Sequence, residues 1–164
     1  MINITFSVKT NLSDTYLSDK DDREFCSWFS DRLYKSYGQF FYEVETPELE
    51  GIAGVRISID EIFDYSHDMV LSIDVDTELS EDEIAEYDAL FDYLNAEVVP
   101  QFIDGFNSVC TTAVPMNPRE KFDGMKFDGD AFYVECYQYG DDDYKVERIT
   151  TVIFQLTPDY DISF

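Results

Sequence analysis

Alternation between apolar and polar side chains marks the strands of this chain. Residues 2–8 and 55–60 alternate strictly, and residues 69–76 alternate except at Val70. Because successive side chains of a β-strand point to opposite faces, a period of two predicts strands with one buried face. The linking residues 61–68 suit a hairpin loop, and the short aromatic segment 39–44 is a further strand candidate.

A different period, close to four residues, marks the first helix. Apolar side chains recur at every fourth position over residues 25–37. This spacing places them on one face of an α-helix. The pattern predicts an amphipathic helix of about 18 residues that begins near Ser18 and ends near Gly38.

The start of a second helix is predicted from the sequence of its first turn. Ser80 is followed three residues later by Glu83, which is the capping-box arrangement for a helix N-terminus. Pro100 is expected to kink or end this helix, because proline lacks the backbone N–H that a helix interior uses. The predicted apolar face comprises Ile84, Tyr87, Leu90, Phe91, Leu94 and Val98.

The C-terminal third is predicted to be mostly irregular or extended. Residues 111–130 contain two prolines and two glycines and are interpreted as a long loop. A strand over 132–137, a turn over 140–143 and a final strand over 146–156 follow, and the last residues are expected to be a short tail. The whole chain, residues 1–164, then reads as one α+β domain. We expect a mostly antiparallel sheet of about five to six strands with two amphipathic helices on one face.

Acidic residues are distributed very unevenly. The chain has 36 Asp and Glu against 11 Lys and Arg, a net charge of −25, and residues 57–118 contain fifteen acids and no Lys or Arg. A block of one sign repels itself and attracts cationic partners. It also argues against direct binding to nucleic acid or to an anionic membrane, because both require a basic surface. The charge indicates a basic protein partner, a metal ion or solvation alone.

Motifs for catalysis are missing from the sequence. There is no glycine-rich phosphate loop, and the single histidine, His67, stands in a polar segment where we expect an ordinary loop residue. The three cysteines, Cys26, Cys110 and Cys136, are far apart, so we expect reduced thiols rather than a disulfide framework or a zinc site. No apolar run is long enough for a membrane span, and the N-terminus does not resemble a signal peptide. We therefore expect a cytoplasmic protein that is not an enzyme and has no cofactor.

Two groups of carboxylates are nevertheless candidates for metal binding. Asp74 and Asp76 share one face of a predicted strand and are candidate ligands for Mg²⁺. Asp123, Asp128 and Asp130, interspersed with glycines, are candidates for Ca²⁺, although their spacing differs from that of an EF-hand. A metal-binding domain or a small metal-dependent enzyme is therefore one alternative function.

The acidic middle of the chain is the candidate partner-binding surface. Carboxylates two residues apart on a strand are roughly 6.6 Å apart along its axis, and helical residues four apart have Cβ atoms about 5–6 Å apart. These spacings are comparable with those of phosphates on a nucleic-acid strand, whose axial rise is ~3.4 Å. Tyr93 is predicted to lie on the acidic side of the helix, where it would add a stacking or hydrogen-bonding contact. The candidate partner-binding residues are Asp60, Glu61, Asp64, Asp74, Asp76, Glu78, Glu81, Asp82, Glu86, Asp88, Asp92 and Tyr93.

In composition and size the chain resembles nucleic-acid-mimic inhibitors that phages and mobile elements direct at restriction or CRISPR machinery. The resemblance implies a stoichiometric inhibitor that occludes the basic, nucleic-acid-binding site of another protein, in the host cytoplasm if the chain is phage-encoded. An immunity protein or antitoxin that masks a basic nuclease toxin is a second possibility. Its contact residues would include aromatic side chains, with Trp28, Tyr93, Tyr133, Tyr137 and Tyr139 as candidates. An acidic domain whose charge serves only solubility or adaptation to high salt remains a further alternative.

Overall fold

A five-stranded antiparallel sheet forms the centre of the fold. Its strand order is β10-β1-β4-β3-β2, and two smaller sheets with the orders β5-β9 and β6-β7-β8 accompany it. The strands are β1 (Ile2–Thr10), β2 (Phe41–Val44), β3 (Ile52–Glu61), β4 (Met69–Thr77), β5 (Ala113–Pro115), β6 (Phe122–Asp128), β7 (Ala131–Tyr139), β8 (Tyr144–Glu147), β9 (Thr151–Ile153) and β10 (Leu156–Tyr160). The computed structural model describes residues 1–13, 19–62, 67–115, 122–128, 131–139, 144–147 and 151–164. All strand pairs in these residues are antiparallel, which confirms the predicted α+β class.

The alternating N-terminal residues form a strand with one buried face, as predicted. In β1, Ile4, Phe6 and Val8 are buried, whereas the residues between them are exposed. The register with β4 places Ile4 opposite Ile73 and Phe6 opposite Leu71, so apolar positions of the two strands share one face. This covered face of the sheet belongs to the core, and the opposite face is called the open face below.

The helices supply the other side of the core. They are α1 (Asp19–Tyr37), α2 (Glu81–Ala85), α3 (Asp88–Tyr93) and α4 (Val99–Val109), with a π-helical turn at Leu94–Val98 between α3 and α4. Helix α1 has the predicted extent, and its Phe29 and Leu33 are fully buried. Two edge-to-face contacts join the helices to the segments that lead into β2 and β10: the ring centroids of Phe40 and Phe102 are 5.2 Å apart, and those of Phe29 and Phe154 are 5.4 Å apart.

The second predicted helix begins as expected but does not run continuously. The Ser80 hydroxyl accepts from the Glu83 N–H at 3.3 Å, and the Glu83 carboxylate accepts from the Ser80 N–H at 2.8 Å, so the capping box is confirmed. The helix then breaks at Glu86 and Tyr87, where ψ is 6° and 76°. At this break the Tyr87 hydroxyl donates to the Glu50 carbonyl at 2.8 Å, a tertiary contact that helical periodicity does not report.

Pro100 does not end the helical stretch. It occupies the first turn of α4, which continues to Val109. The turn before it is π-helical. Proline has no N–H to donate and its ring crowds the preceding turn, and a wider π-helical turn is one way for a chain to remain helical beside it.

Three predictions for the C-terminal third are wrong. The segment 111–130 is not wholly a loop, because β5 and β6 lie within it. Strand β6 has the sequence Phe-Asp-Gly-Met-Lys-Phe-Asp and pairs with β7. It was not predicted because aspartate and glycine are depleted in strands. The predicted turn at 140–143 lies outside the described residues.

The predicted final strand over 146–156 is also wrong, because its residues are divided among β8, β9 and the start of β10. These three strands belong to three different sheets. The expected tail is instead strand β10, which pairs with β1 at the edge of the central sheet. Pro158 is compatible with that position because an edge strand has one side without ladder hydrogen bonds.

Candidate protein-binding surfaces

The helical stretch from α2 to α4 exposes a group of acidic side chains on its outer side. Its inner side is anchored by Ile84, Leu90 and Leu94, which are fully buried. Helical geometry then turns the intervening polar positions to solvent. This helical acidic surface comprises Glu81, Asp82, Glu86, Asp88, Asp92 and Glu97, all of which are exposed.

The carboxylates of the helical acidic surface are not neutralised by ion pairs within the described part of the chain. An ion pair of the described residues, Lys9 with Asp159 at 3.9 Å, lies on the central sheet. Within α3, Asp88 and Asp92 are four residues apart, an axial separation of about 6 Å. Like charges at this spacing repel one another, so the surface keeps a strong negative potential.

Acidic residues of the loop between β2 and β3 lie beside this surface. The hydrogen bond from Tyr87 to the Glu50 carbonyl joins the loop to the α2–α3 break, and the Thr77 hydroxyl donates to the Gly51 carbonyl at 2.6 Å. Glu48 and Glu50 are both exposed. Sequence reasoning missed them because only these long-range contacts bring them to the helices, and it also omitted Glu97.

The predicted strand-and-helix array is divided between two sides of the molecule. Asp74 and Asp76 alternate with the buried residues Ile73 and Val75, so they lie on the open face of the sheet. The helices contribute to the core on the covered face. Glu78, exposed in the connection from β4 to α2, lies between the two acidic groups.

The open face has its own set of partners. Glu43, Arg56, Asp74 and Asn3 stand in one cross-strand row. The Asn3 amide donates to the Asp74 carboxylate at 2.7 Å. The Arg56 guanidinium stands 4.1 Å from the centroid of the Phe41 ring. This surface is therefore acidic but contains a cation and a hydrogen-bonded carboxylate.

A depression of about 340 Å³ opens on the same face. It is lined on its acidic side by Glu43, Glu45, Asp74 and Asp76, together with Met1, Val44, Ala53, Gly54, Val55 and Arg56. Glu43 and Glu45 were absent from the predicted site, because the β2–β3 register that brings them beside Gly54 and Arg56 is not visible in the sequence.

Asp60 and Glu61 lie away from the acidic end of the open face. They stand at the end of β3 that is opposite to the Gly54–Asp76 pair. Six residues of strand separate Asp60 from Gly54, a distance of about 20 Å. Both side chains are exposed. Asp64 lies outside the described residues.

Tyr93 is only partly available. Its ring packs against the core and the residue is half-buried. Burial raises the pKa of its phenol, and the neighbouring Tyr42 and Glu97 raise it further. The hydroxyl therefore stays protonated at neutral pH and is a hydrogen-bond donor at the border of the helical acidic surface. The other aromatic candidates, Trp28 on α1 and Tyr133, Tyr137 and Tyr139 on β7, have side chains outside the description.

Metal binding receives no support from the described side chains. No group of three or more His, Cys, Asp or Glu residues among them is arranged to hold an ion. Asp123 and Asp128 stand at the two ends of the strand β6, and their side chains lie outside the description. Asp130 lies outside the described residues. Asp74 and Asp76 share a face as predicted, and Asn3 donates to the first of them.

The surroundings of His67 and Cys110 are those of buried residues in the fold. His67 is buried, in contrast to the expected polar loop position; it has a φ of 60°, and its carbonyl accepts a hydrogen bond from the Thr10 hydroxyl at 2.7 Å. Neither Cys26 nor Cys110 forms a disulfide. Burial raises the pKa of Cys110, while hydrogen bonds with Thr112 and Tyr37 partly oppose this shift. A buried thiol with a raised pKa is a poor nucleophile.

Comparison with known proteins gives no relative: no family model, no curated protein and no solved structure matches the chain. Within the described residues, no helix is long and apolar enough to cross a membrane.

Proposed function

We propose that this chain is a non-catalytic inhibitor that binds the basic, nucleic-acid-binding site of another protein and occludes it. The observation that carries the proposal is the helical acidic surface. Six exposed carboxylates stand there on a rigid, core-anchored scaffold, and the sequence from residue 57 to 118 supplies no Lys or Arg to neutralise them.

The physical basis is the resemblance of this surface to a phosphate backbone. A groove that binds nucleic acid uses Lys and Arg side chains and gains affinity from the release of counterions. Carboxylates about 6 Å apart along a helix present the same groove with closely spaced negative charges. Because the helix is held in place by buried side chains, little conformational entropy is lost when a partner binds.

The partner class follows from the same chemistry. A restriction enzyme or a CRISPR effector is a basic nucleic-acid-binding protein, and a phage or mobile element gains from blocking it. An anti-defence factor that acts in the host cytoplasm is therefore the role that we propose. The partner is a protein, and neither nucleic acid nor a membrane surface is expected to bind the chain directly.

The test compares two variants with the same change in charge. The first replaces Asp82, Glu86, Asp88 and Asp92 by Lys on the helical acidic surface. The matched control replaces Asp60, Glu61, Asp159 and Asp161 by Lys, all of them exposed and outside the helical acidic surface. Proteins retained from cytosol by the immobilised wild type are identified, and their affinity for each variant is measured at low and high salt, with duplex DNA as a competitor.

Three outcomes are informative. Mimicry predicts that DNA displaces the partner, that salt weakens binding steeply and that only the helical variant loses binding, by more than about a hundredfold. Equal losses in both variants would mean that net charge alone drives retention. One partner that resists DNA and salt would instead favour the immunity-protein function.

A further inference from the structure

The two edges of the central sheet differ in how their backbone groups are used. At β10, the Asn107 amide donates to the Leu156 carbonyl at 2.9 Å and its oxygen accepts from the Leu156 N–H at 2.8 Å. Pro158, two residues later, has no N–H to offer. A further strand therefore finds few free groups along β10, which is a closed edge.

The opposite edge, β2, is open. It consists of Phe41–Val44 and contains no proline, and among the described strands it pairs only with β3. In the described part of the chain, no loop or side-chain hydrogen bond involves its backbone. Phe41 is 47% exposed and Glu43 is also exposed. An edge strand with unpaired N–H and C=O groups is a template for an added strand.

The charge of β2 decides which strand can be added. The strand and the loop that follows it carry Glu43, Glu45, Glu48 and Glu50 and no Lys or Arg. Pairing of β2 with β2 of a second copy would bring these carboxylates together between two chains that each have a net charge of −25. Like charges directly opposite each other destabilise a sheet, whereas opposite charges stabilise it.

We propose that β2 is the docking edge for an extended, basic segment of the partner protein, which joins the central sheet as a sixth strand. The proposal rests on the proposed function only in taking the partner to be a basic protein. Backbone hydrogen bonds along β2 supply affinity, and the acidic side chains select the sequence.

The geometry makes Glu43 the residue that selects a basic side chain in the added strand. An added strand would lie about 4.8 Å from β2, with its open-face side chains about 5 Å from those of β2. The Glu43 carboxylate has no hydrogen bond or ion pair among the described residues, because Arg56 is held over the Phe41 ring. A Lys or Arg of the incoming strand can therefore pair with Glu43, at the rim of the open-face depression.

The experiment uses the full chain and a short synthetic peptide in which Thr and Arg alternate. A control peptide has the same arginines but proline in place of the central threonines, so it keeps the charge and cannot form a strand. Amide hydrogen exchange locates binding, and titration of the wild type, Glu43→Lys/Glu45→Lys and Asp159→Lys/Asp161→Lys measures affinity. The last variant places the same charge change beside the closed edge.

The expected result is protection of the β2 amides by the Thr-Arg peptide and not by the proline peptide. The Glu43→Lys/Glu45→Lys variant should bind the Thr-Arg peptide at least about tenfold more weakly than the wild type does. The closed-edge variant should lose less than about twofold in affinity. Equal binding of both peptides, or protection confined to α2 and α3, would overturn the docking edge. Since the peptide assay needs no nucleic-acid-binding partner, failure of mimicry in the lysate experiment and failure of β2 docking are separate results.

Discussion

Acidic side chains on the helical stretch and on the open face of the sheet are held in different electrostatic surroundings. On the open face, Asp74 accepts a hydrogen bond from Asn3, and Arg56 stands in the same row. On the helical acidic surface, Asp88 and Asp92 repeat one turn apart, and residues 57–118 contain no Lys or Arg.

This difference in surroundings indicates which acidic residues are not accounted for by the stability of the fold. A hydrogen-bonded carboxylate in one row with a cation, as at Asp74, is ordinary surface chemistry. Repelling carboxylates on one helix face lower the stability of that helix, so the core beneath them must offset the repulsion. The helical acidic surface is therefore the better candidate for function, and the dependence of this surface on its core can be tested directly.

The largest expected effect is the loss of that core. Phe106 is fully buried and its ring contacts those of Tyr37, Phe40, Phe102 and Phe154. Phe106→Ala should lower the free energy of unfolding by about 3–5 kcal/mol in urea denaturation, since it removes these contacts and leaves a cavity. The exposed Val109→Ala on the same helix is the control and should change it by less than about 0.5 kcal/mol. A similar small effect for Phe106→Ala would contradict the view that the core supports the acidic surface.

The next effect concerns the start of the same surface. Ser80→Ala removes the hydroxyl that caps α2 and should cost about 1 kcal/mol, the usual value of an N-cap, whereas Ser80→Asp should retain most of the stability. Urea denaturation of the two variants measures the difference. If both variants were as stable as the wild type, the cap would not matter to the helical stretch.

The capping box also predicts a pH dependence. Hydrogen bonds from the backbone and side chain of Ser80 lower the pKa of Glu83. A carboxyl group with a lowered folded-state pKa contributes stability above its unfolded value, near 4.3, and loses it as the pH falls through the folded value. The stability difference between the wild type and Glu83→Gln should therefore be present at neutral pH and shrink below about pH 4. A difference that grew in acid would contradict the assigned hydrogen bonds.

Local patterns predicted the local structure well. The alternation in residues 2–8 and 69–76, the four-residue repeat in α1 and the Ser80–Glu83 pair each report the period of a single element, and the structure bears them out. The missed strand β6 has residues that disfavour strands, and its pairing with β7 overrides that preference. Strand β10 contains Pro158, which only its position at an edge makes acceptable.

Tertiary placement limited the prediction of the site. The exposure of Asp82, Glu86, Asp88 and Asp92 follows from helical periodicity alone. Whether strand acids join them depends on which face of the sheet the helices cover, and alternation in a strand does not specify this. The same limit explains why Glu50 was missed: its backbone reaches the helices through one hydrogen bond with Tyr87, 37 residues away.

Removal of the open-face cation should have a smaller effect. Arg56→Gln loses the stacking on Phe41 and places Glu43 and Asp74 in one row without a positive charge, so we expect a loss of about 0.5–1 kcal/mol. Arg56→Lys keeps the charge and should lose less. Urea denaturation at low and high salt separates the two contributions, because salt screens the charge effect. An unchanged stability for Arg56→Gln would mean that the open face, too, tolerates uncompensated acids.

The smallest predicted change has the opposite sign. Asp92→Lys removes the repulsion between Asp88 and Asp92 and creates an ion pair at the favourable spacing of four residues in α3. Each of these changes contributes about 0.2–0.5 kcal/mol, so the variant should be more stable than the wild type by about half a kcal/mol or slightly more at low salt, and the gain should shrink at high salt. Asp161→Lys, outside any helix, should show no comparable gain. A variant that is more stable and yet binds its partner more weakly would show that the charge at this position is maintained for binding and not for folding.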